Sequence, residues 1–238
     1  MTAKSDQLDR WCADVRGLHK IGERAWVQDD ATSVSFPECG LADLSDIEDR
    51  SYWFEHRNAI ISSVVRRFPP PGSIFDVGGG NGYVSLGLEA AGFSAVVIEP
   101  DPAGIETARR RGLATIQATF QDLALSPNSI PAAGLFDVLE HIEDEAGALA
   151  RLYNAIRPGG RIYIAVPAYG WLWSAEDVYA GHFRRYTAAS LTGALLKAGF
   201  QPEYQTYFFR VLVPAVFLFR TLPSMLGLRR GGEAKSLR

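Results

Sequence analysis

The sequence predicts an α/β fold: a Rossmann-like, doubly wound, mostly parallel sheet with an N-terminal helical lid and an insertion after the fifth strand. Three observations lead there. Short apolar runs alternate with helical patterns through the middle of the chain, closely spaced glycines follow the first run, and the second run ends in an acid. Residues 73–77 read as the first strand, 84–91 as a helix closed by Gly92, and 94–98 as the second strand. A helix over 103–111, ended by Gly112, leads to a third strand at 114–117. The fourth strand falls near 132–136, a helix spans about 145–156, and the fifth strand lies at 161–166. Helix 188–198 and strand 202–208 continue the pattern, whereas residues 1–50 lack an obvious strand. Residues 1–68 are expected to form the lid, and Pro69-Pro70-Pro71-Gly72 punctuates its join to a cofactor-binding domain at 69–210. That domain carries the insertion at 168–187, and 211–238 make an apolar segment and tail.

Composition narrows the class. With 238 residues, 47% hydrophobic and 21% charged, the chain can bury a full core and reads as a globular domain with elaborations. A formal net charge of -3 gives no chain-wide attraction to nucleic acid, and none is expected as a partner. Two cysteines, Cys12 and Cys39, make neither a disulfide framework nor a metal quartet, so a reducing, cytoplasmic setting and no metal are expected. Lys4, Asp6, Asp9 and Arg10 break the apolar core a signal peptide would need. The apolar stretch at 211–219 contains Pro214 and falls far short of the roughly 20 residues of a spanning helix.

The glycine loop carries the chemistry. In Asp76-Val77-Gly78-Gly79-Gly80-Asn81-Gly82-Tyr83, glycines at alternate positions let the backbone turn sharply and bring its amides close to a ligand. A dinucleotide fingerprint places its third glycine where Tyr83 stands, so the loop suits a cofactor without a pyrophosphate better than NAD. Glu99, 17 positions after Gly82 at a strand end, can accept hydrogen bonds from both hydroxyls of a ribose. Alone it reads equally well as a helix cap; with the loop it reads as a ribose clamp.

These residues resemble the class I S-adenosylmethionine-dependent methyltransferases. Asp76 to Gly82 is similar to the family's first motif, Glu99-Pro100-Asp101 to its ribose-binding acid, and Phe136-Asp137-Val138-Leu139-Glu140-His141-Ile142 to the segment after strand four. Arg157-Pro158-Gly159-Gly160-Arg161 matches the turn before strand five. Trp53, Phe54, Arg57 and Asn58, together with Gly181 to Thr187, resemble a subgroup of largely uncharacterised bacterial and archaeal members associated with glycans, lipids and other secondary products. The resemblance implies S-adenosylmethionine as cofactor and S-adenosylhomocysteine as its product. It places the methionine part against Asp76, Gly78 and the backbone near Leu135 and Phe136, with Gly80, Asn81, Gly82 and Tyr83 completing the loop and Pro100 beside Glu99. Adenine falls to the loop after strand three. There an Asp common in the family is replaced by Thr119; Phe120 is expected to pack on adenine, and the amine contact stays open between Thr119, Gln121 and Asp122.

Methyl transfer asks mainly for alignment, with a general base where the acceptor is a hydroxyl or a protonated amine. His141 is the candidate base; its other reading is a helix N-terminal residue bonded to Glu143 or Asp144. Glu140 reads chiefly as a favourable charge at a helix start. Candidate acceptor residues are Trp53, Arg57 and Asn58 on the lid, and Tyr169, Trp173, His182, Arg185 and Tyr186 on the insertion. Those aromatics read equally as core, and Arg184, Arg185 and Thr187 as internal pairs and a helix cap. The stretch 207–228 could pack on its own domain, form a dimer contact, or lie in a membrane interface. The expected function is methyl transfer to oxygen or nitrogen of a small or lipid- or glycan-linked acceptor. A nicotinamide-dependent oxidoreductase, disfavoured by Tyr83 and the lack of a recognisable Tyr-Lys pair, and a non-catalytic partner retaining the cofactor fold are the alternatives.

Overall fold

The run Ile74–Val77 is buried at every position, as a strand covered on both faces must be, and it lies in the interior of a seven-stranded sheet. In the computed structural model, which describes residues 3–29 and 51–228, the strands are β1 (Leu18–Gly22), β2 (Ala25–Gln28), β3 (Ile74–Val77), β4 (Ala95–Glu99), β5 (Ala114–Gln117), β6 (Ile130–Phe136) and β7 (Ile156–Ala165). Their order is β1-β2-β5-β4-β3-β6-β7, and every neighbouring pair is parallel except the β1–β2 hairpin. Helices α1 (Ala3–Ala13), α2 (Tyr52–Arg67), α3 (Tyr83–Ala90) and α4 (Pro102–Arg110) accompany them. This is the Rossmann-like, mostly parallel sheet the sequence predicts, with strand order reversing at β3, where such sheets bind ligands beyond the carboxyl ends.

Two strand expectations are corrected. The N-terminal region supplies β1 and β2, and β2 pairs in parallel with β5. Their signal is weak because β1 is an edge strand in which only Leu18 is buried, so the alternation that marks a half-buried strand is missing. Residues 202–208 form no strand. Positions 201–206 are all exposed, and without a buried face nothing recruits them to a sheet.

The chain divides into two units. The first comprises Met1–Phe136 and Asn154–Ala165. In it, Ile61 and Val65 of α2 and Val84 and Leu88 of α3 pack with Ile74, Ala95, Ala132 and Phe136 of the sheet. The proline-rich join is pinned to β7: Tyr163 donates its hydroxyl to Phe68 O at 2.5 Å, and Arg161 and Arg157 donate to Pro69 O and Pro71 O at 2.9 and 2.6 Å.

The second unit comprises Asp137–Tyr153 and Val166–Arg238. It holds a 3-10 turn at Leu139–His141, most of α5 (Glu145–Ala155), α6 (Ala175–Tyr179) and α7 (Ala188–Lys197). A helical run from Arg210 to Met225 follows, with α8 (Val213–Val216) and α9 (Leu222–Met225) flanking a π turn at Phe217–Thr221.

Leu88 is fully buried and Leu86, on the same helix, is 36% exposed. In urea denaturation Leu88→Ala should lower stability by about 2–5 kcal/mol and Leu86→Ala by less than about 1 kcal/mol. Equal losses would contradict this core.

Candidate functional site

β3 delivers Asp76 and ends at Val77, and the chain then turns through Gly78, Gly80 and Gly82 with φ of 64°, 51° and 74°. Any side chain would be strained there, and a Cβ on Gly82 would also stand 2.5 Å from Leu113 Cδ1. The Gly78 amide donates to Ile98 O at 2.8 Å, which lays the loop across the end of β4. Gly80 N donates to Glu99 Oε2 and Asp101 N to Glu99 Oε1, both at 3.0 Å. Burial pushes the Glu99 carboxyl up, and these two amides pull against it. Each oxygen keeps a lone pair, so the fixed carboxylate can take two neighbouring hydroxyls. Pro100 leads into Asp101, which caps α4 by accepting from Gly104 N at 3.2 Å. Asn81 is buried; Arg111 donates to its carbonyl at 2.7 Å and lies 5.5 Å above the Tyr83 ring.

Asp76 is buried beneath this loop and accepts from Ser85 Oγ at 2.7 Å. Burial pushes its carboxyl up to about 6, against the opposing pull of the Ser85 bond and the Arg57 charge. Ser85 escaped the sequence analysis; its signal is its place in the first turn of α3, three residues after Gly82. Arg57 on α2 is buried, and Asn58 Nδ2 donates to Tyr83 O at 2.7 Å. Arg57 and Asn58 therefore serve the glycine loop, while Trp53 stays 42% exposed.

After β5, Thr119 and Phe120 are buried and Gln121 is exposed. Thr119 Oγ1 donates to Asp122 Oδ2 at 2.7 Å and accepts from the Asp122 amide at 3.1 Å, so these two groups close a turn on each other. Leu135 and Phe136 end β6, both buried, with the Phe136 ring folded over Gly134. Asp137 then takes a left-handed φ of 59°.

In the second unit, the turn at Leu139–His141 and the loop at 182–186 are joined along their length. Phe183 N donates to Glu140 O at 2.8 Å, and Arg184 donates to Ile142 O and Glu143 O at 2.6 and 2.7 Å. Tyr186, buried, donates its hydroxyl to Glu145 at 2.6 Å; burial and that carboxylate hold its pKa above the usual phenol range. His141 packs edge-on against His182, ring centroids 4.7 Å apart. Burial and the neighbouring His182 lower its pKa to about 4. His182 Nδ1 bonds Asp177 Oδ1 at 2.8 Å, and Arg185 Nε donates to the same oxygen at 2.7 Å. Burial alone would raise the Asp177 carboxyl, but these two bonds bring it down to about 2. Arg185 also donates to Ala168 O at 3.1 Å, and Thr187 caps α7, so the arginines spend their bonds inside the unit. Tyr169 stacks on Tyr207 at 5.0 Å, and Trp173 is half-buried at the end of a 3-10 turn. Among the predicted residues the structure thus brings together His141, His182, Arg185 and Tyr186.

A thin loop that a Cβ would obstruct, a doubly anchored carboxylate for a diol and a buried Asp with a raised pKa fit a nucleoside cofactor that carries a cationic group. Residues 53–205 match the family described as the methyltransferase domain. A relative in Mycolicibacterium smegmatis, named a probable S-adenosylmethionine-dependent methyltransferase, is 24% identical over 74% of this chain and 69% of its own length. A ubiquinone biosynthesis O-methyltransferase of Xylella fastidiosa is 31% identical over 43% of this chain and 45% of its own. Among solved structures, phosphoethanolamine N-methyltransferase 2 of Haemonchus contortus in complex with S-adenosyl-L-methionine is similar in fold. Its TM-score is 0.57 and its identity 18%, over 76% of this chain and 45% of that one.

The Asp76 carboxyl titrates near 6 in the folded protein and near 3.8 when unfolded. A raised carboxyl pKa gives stability that is present below about pH 4 and lost as pH rises through 6. Asp76→Asn, which keeps an acceptor for Ser85, should therefore unfold at higher denaturant than the parent at pH 8, with the gap narrowing at pH 5 and closing below about pH 4. A variant less stable at both pH values would contradict the assignment.

Proposed function

The chain belongs to the class I S-adenosylmethionine-dependent methyltransferase family, and from that premise we propose that it moves a methyl group to an oxygen or nitrogen of a small or lipid- or glycan-linked acceptor. The observation that carries the cofactor half is the Glu99 carboxylate held by Gly80 N and Asp101 N at the end of β4. Bound S-adenosylmethionine supplies an activated methyl on a sulfonium. Glu99 would take the ribose hydroxyls, Asp76 and the amides of Gly78, Gly80 and Gly82 the methionine portion, and Phe120 the adenine face. With Thr119 and Asp122 turned on each other, Gln121 is the residue we assign to the adenine amine. Leu135 and Phe136 lead the chain directly into the turn that carries His141.

His141 is the catalytic residue we assign. Its imidazole is neutral near pH 7, so it can receive a proton, but with a pKa near 4 it is too weak a base for an unactivated alcohol. Tyr169, Trp173, His182, Arg185 and Tyr186 would shape the acceptor side. Their internal bonds support a positioning role for Arg185 and Tyr186. The names of relatives include both an O- and an N-methyltransferase, which supports small acceptors without choosing the atom.

No helix among the described residues is long and apolar enough to cross a membrane. Membrane-surface contact through 207–228 has support of another kind. Thr221, fully buried, donates to Leu172 O at 3.1 Å, Ser224 Oγ accepts from Ala175 N at 2.9 Å, and Phe217 packs on Trp171. Opposite that anchored face, to which Arg220 adds an ion pair with Glu176 at 3.7 Å, Val211, Leu212, Leu218, Phe219, Met225 and Leu226 are exposed at heptad spacing. A cytoplasmic setting is in keeping with Cys12, a buried thiol whose pKa burial pushes up to about 12; Cys39 lies outside the described residues.

The test is label transfer from methyl-tritiated S-adenosylmethionine to a panel of phenols, sugars, amines and lipid extract, offered free and on anionic vesicles. Labelling of one acceptor class, raised by vesicles and lowered to the free rate by Phe219→Glu with Val211→Glu, is expected. Labelling of none, with cofactor binding intact, would favour a non-catalytic partner.

A further inference from the structure

We propose that Glu140, His141 and His182 form a binding site for a divalent transition-metal cation. The proposal rests on the methyltransferase reading for its purpose and on its own geometry for its existence. One ligand atom from each side chain lies within 4.8 Å of the others. Metal–ligand bonds of about 2.0–2.2 Å need donors roughly 3 Å apart, a distance reached by modest side-chain rotation. Two imidazoles and one carboxylate suit Mn2+, Fe2+, Co2+ or Zn2+ and leave coordination positions open to oxygen ligands. Cysteine counting could not have found such a site, because it uses none, and the sequence expectation of no metal rested on that count.

Three features set this group apart from a chance meeting of polar side chains. Its scaffold is fixed, since the two strands of chain that carry the ligands, 41 residues apart, are joined by Phe183 N to Glu140 O and by Arg184 to Ile142 O and Glu143 O. The Glu140 carboxylate is only 1% exposed, and a carboxylate so deep is stabilised best by a cation. Asp177, itself 1% exposed, holds His182 by Nδ1 and is in turn held by Arg185 and by Ser174 N at 2.9 Å. A carboxylate behind a ligating histidine is the outer-shell arrangement of metal sites: it sets the ring and leaves Nε2 as the donor.

A cation here would make the acceptor a hydroxyl compound, and best a vicinal diol or catechol able to fill two open positions. Its oxygen would be acidified on the metal. In the transfer the acceptor O–H breaks and its proton leaves to solvent. The oxygen lone pair forms the O–CH3 bond as the S–CH3 bond breaks, and that electron pair stays on sulfur to give S-adenosylhomocysteine. With a cation bound, His141 is a ligand and not a base.

The full chain, stripped with EDTA, is titrated with Mn2+ followed by EPR and with Co2+ followed by its visible absorption. One equivalent should bind, Glu140→Gln and His182→Ala should each weaken it at least tenfold, and Asp177→Asn should weaken it by about 10–100-fold. Circular dichroism melts check that the variants fold. A readout that needs no substitution is NMR of histidine ring protons, where diamagnetic Zn2+ should shift His141 and His182 and leave His19 and His56 unmoved. Cofactor binding is measured in parallel without metal, so loss of one reading leaves the other standing. No stoichiometric binding, equal Zn2+-induced shifts of all four histidines, or binding that survives both ligand substitutions would overturn the site.

Discussion

The hydrogen bond from the Gly80 amide to Glu99 is the constraint on which the cofactor half depends. It joins a loop that must be thin to a carboxylate that must point outward from the end of the neighbouring strand. The parallel register of β3 and β4, Val77 opposite Ile98, delivers both to the same edge. Gly78 N on Ile98 O lays the loop across β4, and Asp101 N fixes the other oxygen of Glu99 while its own side chain starts α4. A strand end, a turn and a helix start are therefore one hydrogen-bonded object, in which a Cβ at Gly82 or a shorter acid at position 99 would be felt throughout.

The same loop stores a cost. Asp76 sits beneath it with a carboxyl that burial disfavours ionising, relieved in part by Ser85 and Arg57. Groups held against their preference in this way are those a ligand can satisfy, and a cationic group on the cofactor would do so. In the second unit the polar groups work differently. Arg184, Arg185, Tyr186 and Asp177 spend their bonds on one another, on Glu145 and on the backbone, and the result is a frame around His141 and His182.

Much of the fold was legible in the sequence because the central strands are fully buried and their helices close with glycine or begin with a cap. The edge hairpin was not, since β1 buries little and offers no alternation, and residues 202–208 are apolar enough to suggest a strand without a face to bury. At the site, Gly78 to Gly82 and Glu99 could be read because their roles follow from backbone geometry and spacing. Arg57, Asn58 and Arg185 were legible as polar residues but not as partners of Asp76, Tyr83 and Asp177, because side-chain pairing across 8 to 25 positions leaves no periodic trace. The Asp177–His182 pair, five residues apart in a short helix and its following turn, is of the same kind.

The central claim is that the Glu99-anchored loop holds S-adenosylmethionine, and calorimetric titration of the parent and Glu99→Ala with S-adenosylmethionine, S-adenosylhomocysteine and NADH tests it most directly. Micromolar binding of the first two, weakened at least tenfold in the variant and with no heat from NADH, is the predicted result. Binding of NADH alone, binding of none, or affinity for S-adenosylmethionine unchanged by the substitution would contradict it.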